Sequence, residues 1–299
     1  MSGNGEIVAS AGLAVVYLNR CRKREESGCR DRFIAAYRQF TPAIPHRLYV
    51  INKGFLSDEL RLQHEAFATI SPRFVDVSDE GFDLTAYLTA SDSIEEDTVF
   101  FMNTFAEPVR QGWLEKVWDA FLQPGVGLAG CTASFETHYP IRPNFPAFPN
   151  FHVRTNAFMI NRKLFIDILS ARVPVTKDDC YELECGNSSL TRLVKNAGRT
   201  VVVVGDRNAF GEKTAWMSCV FRMGTQHNLL VADNHTREYA EASIPKKIRI
   251  WSNSWLGLGR LSRHQVAWSW NYGKLGNLRA SIKRKIRTFR TSRQRKSCG

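Results

Sequence analysis

The chain has 299 residues, enough for one large α/β domain or two modest ones, and its apolar fraction of 43% is that of an ordinary globular protein. Its net charge of +12 sits at one end: residues 242–299 hold fifteen Lys and Arg and no Asp or Glu, leaving 26 basic and 29 acidic side chains in 1–241. No stretch approaches the roughly 20 apolar residues of a membrane span, and the first apolar run lacks the basic lead of a signal peptide.

In chain order, Leu13 to Leu18 is a buried-strand pattern, and RFIAAYRQF carries helical spacing until Pro42 and Pro45 end it. His46 to Asn52 predicts the next strand, Asp58 to Phe67 an amphipathic helix, Arg73 to Val77 a short strand and Phe82 to Ala90 a helix. Val99 to Met102 is a short run of β-branched and aromatic residues that predicts a central buried strand. It stops at Asn103-Thr104, and ligands of open α/β sheets lie just beyond the carboxyl ends of strands. Asn103 to Glu107 is therefore the first place to expect chemistry.

Gly112 to Leu122 predicts a second amphipathic helix and Val126 to Cys131 a strand of small residues. Tyr139 to Asn150 contains four prolines and predicts a long functional loop. Asn156 to Ile160 reads as strand, Arg162 to Leu169 as helix, Ser189 to Ala197 as helix closed by Gly198, and Thr200 to Val204 as strand. This alternation predicts an α/β fold with a mainly parallel sheet flanked by helices. The composition divides the chain at 241, giving a body and a basic, Trp-containing extension over 242–299.

Seven cysteines, an odd number with no CxxC pair, suit a reducing compartment rather than a disulfide or zinc framework. There is no GxxxxGK[ST], GxGxxG after a strand, or GxSxG. In the extension, Ile282, Ile286 and Phe289 line one face of a potential basic helix. Such a segment suits an anionic membrane surface first, no specific partner second and nucleic acid third.

LAVVYLNR, VINKG, GFDLTAYL followed by a buried strand ending in Asn, RTNAFMINRKLF, and ECGNSSLTRLVKNAGRTVVVVG together resemble the GT-A fold of nucleotide-sugar glycosyltransferases. Within that fold the pattern resembles family-2-like and rhamnan synthesis protein F-like bacterial enzymes, over roughly residues 12 to 210. It implies transfer of a sugar from a nucleotide-diphosphate donor to a surface-polysaccharide or lipid-linked glycan acceptor, in the cytoplasm at the inner membrane face. The donor would lie near Tyr17, Asn19, Asp83 and Asn103, with Arg154 and Arg142 as diphosphate clamps. Glu184, then Glu182, then Asp179, would be the base of an inverting displacement, all read as lying just ahead of a helix.

Members that use magnesium or manganese end the central strand in Asp-x-Asp, whereas Asn103-Thr104-Phe105 stands here. Either Glu107, Asp233 and His235 supply ligands for the ion, or Arg and Lys take its place on the diphosphate. Asp83 also reads as a helix N-cap, Asn103 as a turn former and Glu182/Glu184 as charges favouring a helix start. The missing Asp-x-Asp keeps open a GT-A-like protein that binds nucleotide sugars or glycans without transferring them.

Overall fold

A computed structural model describes residues 12–20, 28–139 and 141–257. The strands are β1 (Leu13–Asn19), β2 (Arg47–Lys53), β3 (Arg73–Val77), β4 (Thr98–Met102), β5 (Glu107–Pro108), β6 (Val126–Gly130), β7 (Ala133–Ser134), β8 (His152–Val153), β9 (Ala157–Asn161), β10 (Thr200–Val204), β11 (Ala209–Gly211) and β12 (Val231–Ala232). The helices are α1 (Cys29–Gln39), α2 (Ser57–Phe67), α3 (Asp83–Ser91), α4 (Trp113–Phe121), α5 (Arg162–Ser170), α6 (Lys177–Cys185), α7 (Leu190–Asn196), α8 (Asn234–Glu241) and α9 (Ile244–Trp255).

Eight strands form one sheet in the order β11-β10-β6-β9-β4-β1-β2-β3. Six run one way; β9 is antiparallel to both β4 and β6, and β11 to β10. The predicted α/β architecture with a mainly parallel sheet is therefore present. The reversal of β9 inside the sheet was not legible from the alternation of elements.

Every residue of β1 is buried because both sheet faces are covered. The two-residue strand period divides the core accordingly. Ala14, Val16 and Leu18 face α3, α5, α6, α7 and α9 through partners such as Tyr87, Phe165, Leu183, Val194 and Trp255. Leu13, Val15 and Tyr17 face the opposite layer, built from Phe33, Phe67, Trp113 and Val117 of α1, α2 and α4.

Two connections set the position of α3. The buried Lys53 ammonium donates to the carbonyls of Ser78 and Glu80, at 3.2 and 2.7 Å, and so ties the end of β2 to the turn ahead of α3. Gly81 in that turn has φ +63, and a Cβ there would collide with the Thr85 side chain. Thr85 Oγ1 in turn donates to the Pro174 carbonyl at 2.6 Å, which links α3 to the segment leading into α6.

The compositional boundary at 241 is not a packing boundary. Trp255 of α9 is 1% exposed, donates from Nε1 to the Phe221 carbonyl and packs edge-on against Phe135. The Ile282–Phe289 helix predicted in the extension lies outside the described residues. Among the described residues no helix is long and apolar enough to cross a membrane.

Candidate active site

A cavity of about 240 Å³ opens beyond the carboxyl end of β4. Five side chains singled out from sequence line it together: Asp83, Asn103, Arg154, Glu184 and His235. They come from five separate places along the chain. Asp83 is in the first turn of α3, Asn103 follows β4, Arg154 precedes β9, Glu184 ends α6, and His235 is in the first turn of α8.

The local structure explains each position. The N-cap of α3 is Phe82, so Asp83 is the first helical residue rather than the cap, with its charge at the positive end of the helix. Asn103 Oδ1 accepts from the Phe105 N–H at 3.1 Å, and the Asn103 carbonyl accepts from the Ala106 N–H at 3.0 Å. Asn103 thus forms the turn that ends β4 while also facing the cavity.

The segment containing Glu184 is itself a helix, not the approach to one. Thr176 and Asp179 form a capping box at its start, and the Thr176 N–H and hydroxyl hold the Asp179 carboxyl below the usual carboxylate range. Asp179 is therefore engaged in capping. Lys177, Cys180, Tyr181 and Glu184, spaced i, i+3, i+4 and i+7, present one helix face to the cavity. Glu182 points elsewhere: its Oε1 accepts from the Ser188 N–H at 2.7 Å and holds the turn after α6. Burial pushes the Cys180 thiol up to about 12, and the charges of Asp83, Asp179 and Glu184 add to the effect. This thiol stays protonated, and Asp83 and Glu184 lie close enough to act on the same sulfur.

Arg154 is held by Asp233, with Nη1 to Oδ2 at 2.7 Å, and its guanidinium lies 4.3 Å from the Phe221 ring centroid. Both partners are buried, at 8% and 0% exposure. Burial alone would raise the Asp233 pKa, but the charges of Arg154 and His235 and the Thr236 N–H outweigh it and hold it below the ordinary value. Burial and the positive charge of Arg154 lower His235, and Arg222 donates to its Nδ1 at 3.2 Å. In its neutral form the ring, with Arg222 donating to Nδ1, carries its proton on Nε2.

The remaining sequence candidates do not line the cavity. Tyr17 is fully buried, stacks on Phe33 at 3.8 Å and donates to the Thr104 carbonyl. Asn19 is 1% exposed and donates to Asn52 and Gln63. Arg142 pairs with Asp178 at 2.7 Å and lies over Tyr181, so it braces α6. Glu107 pairs with Arg237 at 2.6 Å and Arg32 at 3.7 Å.

The proposed metal set does not assemble. Glu107 and Asp233 face arginines, and among the described residues no three His, Cys, Asp or Glu side chains group to hold an ion. The carboxylates left in the cavity, Asp83 and Glu184, are the oxygens available to a magnesium or manganese ion, which is commonly held by one or two carboxylates together with substrate phosphates.

Lys177 and Asn156 both line the cavity and both escaped the sequence reading. Asn156 is 3% exposed and lines the cavity; its Oδ1 accepts from Thr132 at 2.7 Å, and its Nδ2 has no hydrogen-bond partner among the described residues. A buried donor left unmade costs on the order of 1–3 kcal/mol, which a ligand oxygen would recover. A lone Asn ahead of a strand carries no signal of this kind.

No protein-family model matches the chain, and neither does any curated protein. Three solved structures illustrate its likenesses. The mannosyltransferase PcManGT from Pyrobaculum calidifontis, in complex with GDP-Man and Mn2+, is 12% identical with a TM-score of 0.46 over 70% of this chain and 59% of its own. A CMP:2-keto-3-deoxy-manno-octonic acid synthetase complexed with CTP is 10% identical with a TM-score of 0.42, over 64% of this chain and 88% of its own. Glucosyl-3-phosphoglycerate synthase from Mycobacterium tuberculosis, with Mn2+, UDP and glucosyl-3-phosphoglycerate, is 13% identical with a TM-score of 0.37 over 52% and 58%.

Proposed function

We propose that the protein is a glycosyltransferase that binds the reacting end of a nucleotide-diphosphate sugar in the cavity beyond β4. The observation that carries this reading is the gathering of two carboxylates, Asp83 and Glu184, with two cations, Arg154 and Lys177, in one cavity at the carboxyl end of a central strand. At about 240 Å³ the cavity is smaller than the ~300–1,000 Å³ usual for a whole small-molecule site. It suits the sugar and part of the diphosphate, with the nucleoside extending out of it.

In this mechanism Arg154, Lys177 and the Asn156 Nδ2 face the diphosphate and stabilise the negative charge it gains as it leaves. Glu184 takes the proton of an acceptor hydroxyl. The hydroxyl oxygen bonds to the anomeric carbon as the bond from that carbon to the diphosphate oxygen breaks. The bonding electrons leave on the diphosphate, and the sugar configuration inverts. His235, neutral, offers its Nε2–H to a sugar or phosphate oxygen. The acceptor class, a bacterial surface polysaccharide or lipid-linked glycan, follows from the sequence resemblance.

The test is a thermal-shift panel of UDP-, GDP- and dTDP-sugars with manganese, magnesium or EDTA. A ligand of the folded state raises the melting temperature. The expected result is a shift with one nucleotide class that persists in EDTA, because arginine and lysine meet the diphosphate. Loss of the shift in EDTA would put a divalent ion in that role. No shift with any donor would overturn the reading.

The second reading, a GT-A-like protein that binds nucleotide sugars or glycans without transferring them, is favoured by Asn103 standing where a carboxylate ends the strand in metal-dependent enzymes. A donor shift without transfer or hydrolysis of any donor would select it.

A further inference from the structure

A second, larger cavity of about 430 Å³ lies between α9, α8 and the segment 216–224. Its lining is apolar: Trp216, Met217, Met223, Ile244, Ile248 and Trp251 contribute to it. Three of these are exposed to an extent unusual for their type, Met217 at 54%, Ile244 at 74% and Ile248 at 58%. On α9, Ile244, Ile248, Trp251 and Trp255 recur at spacings of four, three and four, so one face of the helix is apolar over three turns. Trp255 anchors the far end of that face in the core, and the other three are left at the groove.

The rim is cationic. Lys247 lines the groove with its ammonium 5.8 Å from the Tyr239 ring centroid, Lys246 pairs with Glu238 at 3.0 Å, and Arg249 is exposed. The sequence that follows Leu256, itself part of the groove, adds twelve Lys and Arg and no Asp or Glu over residues 258–299. An apolar groove with exposed aliphatic side chains, two tryptophans and a positive rim matches the layered chemistry of a lipid interface. Aliphatic chains sit among acyl chains, indole rings at the headgroup level, and ammonium and guanidinium groups on the phosphates. Nucleic acid would use the cations but has nothing to pair with Ile244, Ile248 and Met217.

We propose that the α9 face is a docking surface for an anionic lipid bilayer, with Ile244, Ile248 and Met217 inserted and the surrounding Lys and Arg held against lipid phosphates. The extension then supplies charge, while the inserted surface belongs to the folded body. This rests on a cavity, residues and chemistry separate from the proposed transferase site, so either can fail without the other.

The experiment is vesicle co-flotation of the full chain with phosphatidylcholine alone and with phosphatidylcholine mixed with phosphatidylglycerol. The probe variant is Ile244→Glu/Ile248→Glu. The control is Leu62→Glu/Leu122→Glu, which makes the same charge change at exposed leucines of the other helical layer. The expected result is binding to the anionic vesicles only, weakened about tenfold or more in the probe variant and retained in the control. Circular dichroism and melting temperature of the probe variant check that both glutamates sit on a folded protein. Equal binding by probe variant and wild type would overturn the proposal by leaving the extension as the sole anchor. So would no binding to anionic vesicles at all. A dimer that the probe variant dissociates, without vesicle binding, would assign the groove to a second copy. Protection of 258–299 from trypsin that the probe variant abolishes, again without vesicle binding, would assign it to the chain's own extension.

Discussion

Replacing Asp233 by Asn removes one charge from the centre of the molecule and leaves the local geometry intact. Asn retains the Oδ1 that accepts the Thr236 N–H at 2.8 Å, and Asn is a good N-cap, so the start of α8 should persist. What is lost is the carboxylate facing Arg154 at 2.7 Å, and the new amide can present a donor to a donor. Breaking a buried pair by removing one partner costs about 3–5 kcal/mol. Arg154 keeps its position over Phe221 and a long contact to Thr132 Oγ1 at 3.5 Å, which puts the expected loss at the lower end.

At about 2–4 °C per kcal/mol for a chain of this size, a loss of roughly 3 kcal/mol lowers the melting temperature by roughly 6–12 °C. Urea titration and thermal unfolding measure it, and Arg154→Met with Asp233→Asn completes the cycle. The double variant should lose less than the sum of the singles by about 1–3 kcal/mol. The folded-state pKa of Asp233 lies below the ordinary value of 3.8, so its stabilisation is fully present above that pH. The difference between wild type and variant should stay constant from about pH 8 to 5 and vanish as the pH falls through the depressed folded-state value. A loss under about 1 kcal/mol, or one that disappears in high salt, would refute the reasoning, since that is how a solvated surface pair behaves.

Glu184→Gln should abolish transfer while leaving the donor-induced thermal shift, whereas Glu182→Ala should keep transfer and lose about 1 kcal/mol with its bond to the Ser188 N–H. Transfer assays beside urea titrations separate the two, and retained turnover in Glu184→Gln would remove that residue as base. Asn156→Asp keeps the oxygen that accepts from Thr132 but turns the unpartnered donor into a carboxylate, so isothermal titration should show donor affinity down about tenfold or more with the fold unchanged. Unchanged affinity would take Asn156 out of the diphosphate contact.

The strands were legible because burial on both faces demands continuous apolar runs, as at Val99 to Met102, and the end of β4 at Asn103 marked where the cavity opens for the same reason. Glu184 was legible as a residue but not as part of a helix. The periodicity of α6 is hidden because its cavity face is built from Lys177, Cys180, Tyr181 and Glu184, with few apolar residues to repeat. The only sequence trace of it was the Thr176–Asp179 capping pair. Glu107 and Asp233 looked available for a metal because their arginines, Arg237 and Arg154, lie 130 and 79 residues away.

Local sequence pattern determined the long strands, most of the helices (α6, α8 and α9 apart) and where the central strand stops, since those depend on spacings within a few residues. The direction of β9, the pairing of buried charges, the open donor on Asn156 and the seating of Trp255 were decided by tertiary packing. Each depends on groups that meet only when the sheet and its two helical layers assemble, because burial, not spacing, determines which charges must be neutralised and which polar atoms remain for a ligand.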